Sequence, residues 1–160
     1  MTRVVLVPGV LALLPEYAGL EDPVAELRAA SLAAVGWLGG EVTVLADAQG
    51  ARVGAYLLAA TSRSGDDPSY LVVGNGSAKR TEKAPGHFDE RAEEFDRRLG
   101  ESLRAGRPAV DVALARELWA STDAIVELAE LDDDLGEGQV DYDDAPHGVQ
   151  YWVVRWNSDS

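Results

Sequence analysis

Short apolar runs alternate with stretches of helical periodicity along the chain, and this order predicts strands separated by helices. The predicted strands cover residues 3–7, 41–45, 70–73 and 148–156. In the last of them both faces are largely apolar, which is typical of a strand that is covered on each side. We therefore predict an α/β fold in which a single domain, residues 1–160, has a mainly parallel sheet flanked by helices.

Apolar residues at helical spacing predict the helices between these strands. The first helix begins with Asp22 as its N-cap and Pro23 in its first turn, and Gly39 and Gly40 end it. Further helices are predicted over residues 51–62, 110–119 and 121–131. The stretch 51–62 is ambiguous, but its apolar residues fit a helix face better than a strand.

A strongly amphipathic helix is predicted to begin near Phe88. Its apolar stripe consists of Phe88, Ala92, Phe95, Leu99 and Leu103. The first turns are acidic and the later turns basic, which suits the helix macrodipole, and opposite charges recur four residues apart. We interpret most of these charges as a solvated face.

Net charge and residue usage bear on the partners more than on the fold. The 160 residues carry a formal net charge of −14, so attraction to nucleic acid or to an anionic membrane is not expected. The chain has no cysteine and two histidines, which excludes disulfides and thiolate chemistry and makes imidazole chemistry scarce. Pro8 and Gly9 interrupt the first apolar run, so we expect no signal peptide and a cytoplasmic protein.

A glycine-rich turn follows the third predicted strand, at the end of the sheet where open α/β proteins bind ligands. The candidate ligand-binding residues are Gly74, Asn75, Gly76, Ser77, Lys79, Arg80 and His87. Two interpretations stay open. The backbone N–H groups with Lys79 and Arg80 form an anion-binding module, or the glycines serve only a tight exit from the strand. The turn matches neither the dinucleotide fingerprint nor the P-loop.

Two sets of side chains could hold a metal ion. His87 and His147 with Asp143 or Asp144 would supply the two imidazoles and one carboxylate of a non-haem iron site. A predicted acidic loop could bind calcium or magnesium, although its spacing does not match the EF-hand. Its carboxylates are Asp132, Asp133, Asp134, Glu137, Asp141, Asp143 and Asp144.

Three segments carry a resemblance to a known family. They are VPGVLALLPE at residues 7–16, the block at 74–96 that contains GNGSAKRTEKAPGHFDE, and DYDDAPHGVQYWVVRW at 141–156. They resemble an actinobacterial branch of the class III extradiol ring-cleavage dioxygenase superfamily. The resemblance implies an α/β fold of the type found in the catalytic subunit, which opens catechol rings with Fe(II) and O₂.

The resemblance also implies where histidines should stand. The family opens with Val-Pro-His-Pro-Pro, and Gly9 occupies the place of that iron ligand here. The family's acid/base histidine closes a Gly-Asp-Leu-Ser-His turn, and Ala78 occupies its place. No histidine precedes His87, the family's glutamate ligand has no assigned position, and the chain is shortened between Leu45 and Tyr70.

These departures predict a shortened protein that is not a ring-cleaving enzyme. The expected role is binding of a small molecule or a protein partner, without catalytic residues and without a cofactor, and a homodimer is allowed for. The alternatives are a metalloenzyme that uses Fe(II) or another divalent metal at His87 and His147, and an anion-binding module at residues 74–80.

Overall fold

The computed structural model describes residues 1–14 and 24–158. The strands are β1 (Thr2–Val7), β2 (Val42–Leu45), β3 (Ser69–Val73), β4 (Gln139–Asp144) and β5 (Tyr151–Ser158). The helices are α1 (Ala25–Gly36), α2 (Ala48–Ala59), α3 (Ala92–Ala105), α4 (Val112–Glu117) and α5 (Asp123–Leu131), and a short 3₁₀ helix covers Leu11–Leu13. In these described ranges, no helix is long and apolar enough to cross a membrane.

The five strands form one mixed sheet in the order β2-β3-β1-β5-β4. The pairs β2/β3 and β3/β1 are parallel, whereas β1/β5 and β5/β4 are antiparallel. The prediction of an α/β fold is confirmed, but the description of the sheet as mainly parallel is wrong. A parallel neighbour requires a long crossover connection, and only a short loop joins β4 to β5, so these two strands pair as an antiparallel hairpin.

Strand β4 lies where the sequence predicted the end of an acidic loop. It is an edge strand whose residues are exposed or half-buried. Asp141 pairs with Arg155 of the neighbouring strand at 2.6 Å. Charged residues are usual on edge strands because they discourage pairing with another chain. Because of these charges, the segment lacks the apolar alternation from which a strand is predicted.

The sheet separates two apolar cores, with α1 and α2 on one face and α3, α4 and α5 on the other. Side chains of β5 alternate between them, since Trp152, Val154 and Trp156 enter one core while Tyr151 and Val153 enter the other. The prediction that both faces of this strand are covered is therefore confirmed.

The helix boundaries differ from the predictions at several points. Helix α3 begins at Ala92, and Phe88 lies before it with 58% of its surface exposed, whereas the rest of the predicted stripe is buried. Residues 48–59 form a helix, as the favoured interpretation held, and Asp47 caps it by accepting from Gly50 N at 2.6 Å. The predicted cap at Asp22 and Pro23 lies outside the described residues.

Candidate functional site

The turn at residues 74–80, called here the Gly74 turn, leaves β3 at the carboxyl end of the parallel strands. Gly74 N donates to Val7 O at 2.9 Å, which ties the turn to the end of β1. Asn75 and Ser121 exchange two backbone hydrogen bonds, of 2.9 and 3.0 Å, so the turn is also joined to the segment before α5. The turn therefore has the position in the sheet that the sequence predicted.

Four of the five remaining amide groups of the turn also have partners within the protein, and that of Lys79 has none recorded among the described residues. Gly76 N donates to Gln150 O, Ser77 N to Asp96 Oδ1, Ala78 N to Leu118 O and Arg80 N to Gly148 O, over distances of 2.8–3.0 Å. An anion would need these same donors. The backbone of the turn is therefore not an anion cradle, and this part of the anion-binding interpretation is not supported.

The glycines of the turn are explained by packing. A Cβ atom on Gly74 would lie 2.7 Å from Ser121 O, and one on Gly76 would lie 2.5 Å from Asp96 Oδ1 and 2.8 Å from Trp152 Cη2. Both positions admit only glycine unless the neighbours move. The interpretation of a tight strand exit fits this geometry.

Asp96 of α3 is a residue of this region that the sequence analysis missed. Its side chain is 2% exposed and accepts from Ser77 N at 2.8 Å and from Ser77 Oγ at 2.6 Å. Arg80 Nη1 lies 3.4 Å from Asp96 Oδ2, the same oxygen that accepts from Ser77 Oγ. Burial raises the pKa of the Asp96 carboxyl above its ordinary value, although the hydrogen bonds from Ser77 and the charge of Arg80 act in the opposite direction.

A signal for Asp96 was present in the sequence. It stands four residues after Ala92 and three before Leu99, which places it within the apolar stripe of α3 rather than on the charged face. A carboxylate in such a stripe is buried with the stripe and needs partners there.

A second pair of polar residues extends this network toward β4. Arg80 Nη1 donates to Gln150 Oε1 at 2.8 Å, and Gln150 Nε2 donates to Asp143 Oδ1 at 2.7 Å. Of the predicted site residues, Ser77, Arg80 and Asp143 are thus brought together, with Asp96 and Gln150 between them. Asp143 enters as a hydrogen-bond acceptor rather than as a metal ligand.

A cleft of about 350 Å³ opens beside this network, between α3 and the β4–β5 hairpin, and is called here the polar cleft. Its lining consists of Arg80, Glu93, Asp96, Arg97, Gly100, Glu101, Arg104, Asp143, Gln150 and Trp152. Arg97 pairs with Glu101 at 2.7 Å, and Arg104 lies 3.7 Å from Asp143. Charged groups of both signs therefore surround the opening.

The indole of Trp152 joins the Gly74 turn to the polar cleft. Its Cη2 edge lies against Gly76, and its Nε1 is the atom nearest to the open side of Gly100, 3.2 Å from where a Cβ would be. Trp152 is only 2% exposed. Within the described residues its Nε1 has no recorded hydrogen-bond acceptor, whereas Nε1 of Trp156 donates to Leu103 O at 2.9 Å.

A larger cleft, of about 700 Å³, lies on the other side of α3 against α4. Phe95, Leu99, Val110 and Leu114 supply its apolar surface, and charged side chains stand around it. Its two arginines are already paired, Arg91 with Asp89 and Glu117, and Arg98 with Glu94.

The two histidines do not join the network around Asp96. Both are exposed. His87 has a positive φ of 61° and its Nδ1 lies 3.3 Å from Glu82 O. In the described part of the chain no group of three or more histidine, aspartate or glutamate side chains could hold a metal ion. The structure thus lends no support to a metal site at His87, His147, Asp143 and Asp144, or in the acidic segment.

The positions that the resemblance assigns to histidines are packed by other atoms. A Cβ on Gly9 would lie 3.1 Å from Val73 Cγ1 and 3.5 Å from Gly50 Cα. Ala78 is buried among the apolar residues of the α1–α2 side of the sheet. The residues present therefore do not fit the iron site of the extradiol dioxygenases.

No model of a known protein family matches the chain, and no curated protein matches it significantly.

Proposed function

We propose that the protein is a non-catalytic small-molecule-binding protein built on a shortened scaffold of the class III extradiol dioxygenase type. The packing around Gly9 and Ala78 carries this proposal. Neither residue offers a metal ligand or a proton carrier. Ala78 is buried, and Gly9 is half-buried with Val73 Cγ1 3.1 Å from where its Cβ would be. An iron-dependent ring cleavage needs two imidazoles and a carboxylate around one metal ion, with another group to move protons.

The closed structure of the Gly74 turn supports the same proposal. Its amide groups other than that of Lys79 donate to the protein's own acceptors, and Asp96 and Arg80 satisfy each other in part. Such a turn stabilises the fold and leaves one backbone donor, that of Lys79, without a recorded acceptor among the described residues. What remains open near it is the polar cleft beyond Trp152. Binding there requires no reactive group.

The test combines metal uptake with oxygen consumption. The purified protein is incubated without oxygen with Fe(II), and separately with zinc, manganese and calcium, and then dialysed and analysed for metal content. Oxygen uptake is next measured with catechol, against a protein-free iron control. We expect no stoichiometric metal and no uptake above the control, because the described residues supply no ligand set.

The metalloenzyme alternative makes the opposite prediction. There, His87→Ala and His147→Ala each abolish the uptake of metal. Stoichiometric iron together with catechol-dependent oxygen consumption would overturn the proposal of a non-catalytic protein, whichever residues hold the metal.

A further inference from the structure

The larger cleft, between α3 and α4, is called here the apolar cleft. It is lined by Phe95 and Leu99, which belong to the core and are 5% and 2% exposed, and by the half-buried Val110 and Leu114. Its volume of about 700 Å³ falls within the range of small-molecule pockets. Apolar surface that faces an open cleft favours a ligand with an apolar body, because burial of both surfaces removes them from water.

The two arginines of the apolar cleft already have carboxylate partners. Arg91 contacts Asp89 at 2.9 Å and Glu117 at 3.3 Å, and Arg98 contacts Glu94 at 2.9 Å. A negatively charged ligand would have to compete with these carboxylates, and it would approach a protein whose net charge is −14. The guanidinium groups therefore do not make this cleft a site for anions.

Two carboxylates of the lining have no cationic partner recorded in the described part of the chain, those of Glu90 and Asp111. The carboxylate of Asp111 accepts from Leu114 N at 3.1 Å and caps the first turn of α4. Glu90 is exposed and follows no such role, and its neighbour Arg91 is held by Glu117 at the other end of α4. The two carboxylates thus stand toward opposite ends of the cleft, and the negative charge at the Glu90 end is open to a ligand.

We propose that the apolar cleft binds a small hydrophobic amine, with its apolar body against Phe95 and Leu99 and its ammonium group at Glu90. This inference rests on the proposed binding function and adds a site and a ligand class to it. Burial of the apolar body supplies most of the affinity. The exposed carboxylate contributes less, and it selects the sign of the ligand's charge.

Two series of probes that differ in charge test the ligand class. The first consists of tryptamine, tryptophol and indoleacetate, and the second of octylamine, octanol and octanoate, in the order cation, neutral molecule and anion. The backbone amide signals of Leu99, Val110 and Leu114 are followed by NMR in the ¹⁵N-labelled protein at constant ionic strength. We expect at least one amine to shift these signals saturably and to bind about five-fold tighter than the anion of its series.

Variants test the named contacts. Glu90→Lys reverses the charge at the ammonium position, so it should weaken binding of the amine about ten-fold and leave binding of the matching alcohol unchanged. Glu93→Lys is the matched control, because Glu93 is exposed on α3 but lines the polar cleft, and it should leave both affinities unchanged. Ala109→Trp adds a large side chain from an exposed position of the apolar cleft and should weaken amine and alcohol alike, about ten-fold or more.

Three results would overturn the amine site: cleft signals that neither amine shifts saturably, equal affinity for an amine and its anion, or equal losses in Glu90→Lys and Glu93→Lys. Sedimentation equilibrium adds a fourth. A dimer that Ala109→Trp converts into monomers would show that a second copy of the chain covers the cleft.

These results are distinct from a failure of the proposed function, which would appear as metal-dependent oxygen consumption. Absence of amine binding without metal uptake removes the site and leaves a non-catalytic protein. Amine binding together with oxygen consumption keeps the site and removes the proposed function.

Discussion

The Gly74 turn and the polar cleft are neighbours that use their hydrogen-bond donors in opposite ways. In the turn, the amide groups from Gly74 to Arg80, except that of Lys79, donate to the protein itself. In the cleft, Trp152 is 2% exposed, and its Nε1 opens onto the cleft with no recorded acceptor within the described residues. The turn has the glycines and basic residues of an anion site, but the protein's own acceptors occupy its backbone donors. The cleft has no such motif, but a donor faces its opening.

The comparison shows that glycine serves two different purposes here. At Gly76 the absent Cβ lets Asp96, Gln150 and Trp152 pack against the backbone. At Gly100 the absent Cβ uncovers a polar atom. A glycine marks a close approach in both cases, and only the structure tells whether protein or solvent makes that approach.

The largest effect is expected from Asp96→Ala, which opens the closed region. The change leaves the two buried donors of Ser77 without an acceptor and removes the ion pair of Arg80, which keeps its hydrogen bond to Gln150 Oε1. We therefore expect a loss of about 3 kcal/mol in the free energy of unfolding. Urea denaturation measures it. The matched control is Asp111→Ala, since Asp111 is exposed and, among the described residues, its one recorded donor is Leu114 N at 3.1 Å. Its loss should be about 1 kcal/mol. Equal losses would mean that Asp96 does not hold the turn closed.

Gly76→Ala should be the next most destabilising change. The new methyl group would lie 2.5 Å from Asp96 Oδ1 and 2.8 Å from Gln150 Cβ, so we expect a loss of about 2 kcal/mol from overpacking. Gly36→Ala is the control, because the nearest atom to its Cβ is 3.9 Å away, and its effect should stay within about 0.5 kcal/mol. A Gly76→Ala variant as stable as this control would show that the turn has room to spare.

The stability lost in Asp96→Asn, measured against pH, distinguishes the effect of burial on the Asp96 carboxyl from the effect of its ion pair with Arg80. The folded-state pKa of Asp96 is raised above its ordinary value of 3.8. At pH values between 3.8 and the folded-state pKa, the native state therefore binds more protons than the unfolded state. The contribution of the carboxyl to stability is thus present below pH 3.8 and is lost as the pH rises through the folded-state pKa. The amide cannot titrate and keeps part of the hydrogen bonding.

Unfolding of both proteins is measured from acidic to neutral pH. The loss caused by Asp96→Asn should be about 1 kcal/mol or more in acid and should shrink toward neutral pH. A loss that grows with pH would show that the charge of Arg80 outweighs burial at this position.

Gly100→Ala should have the smallest effect on stability, within about 1 kcal/mol in either direction. The gain in helix propensity is offset by the contact of the new methyl group with Trp152 Nε1 at 3.2 Å. Denaturation of Gly100→Ala beside Gly76→Ala compares the two glycines directly. A loss as large as that of Gly76→Ala would show that the space over Trp152 is close-packed rather than an opening.

Much of the fold followed from apolar periodicity, because the central strands and the long helices bury their apolar faces. Strands β1, β3 and β5 read as apolar runs since both of their faces are covered. Apolar periodicity did not predict the edge strand β4, because its charged residues face solvent. The antiparallel pairing of β5 could not be read from composition, since it depends on which neighbours the strand finds in the sheet.

The candidate site was predicted less completely. Ser77, Arg80 and Asp143 were named from the sequence and do meet, but through Asp96 and Gln150, which no motif marks. The open donor of Trp152 was beyond sequence reasoning, because a tryptophan in an apolar strand predicts core packing. Its exposure to the cleft depends on a glycine 52 positions earlier in the chain.

Hydrogen exchange, measured in one sample by NMR, compares the closed turn and the open cleft most directly. We predict that the amides of Gly76, Ser77 and Ala78 exchange slowly, as buried hydrogen-bonded groups do. The indole N–H of Trp152 should exchange much faster than that of Trp156, which donates to Leu103 O at 2.9 Å. Rapid exchange at the turn, or a Trp152 indole as protected as that of Trp156, would contradict the account.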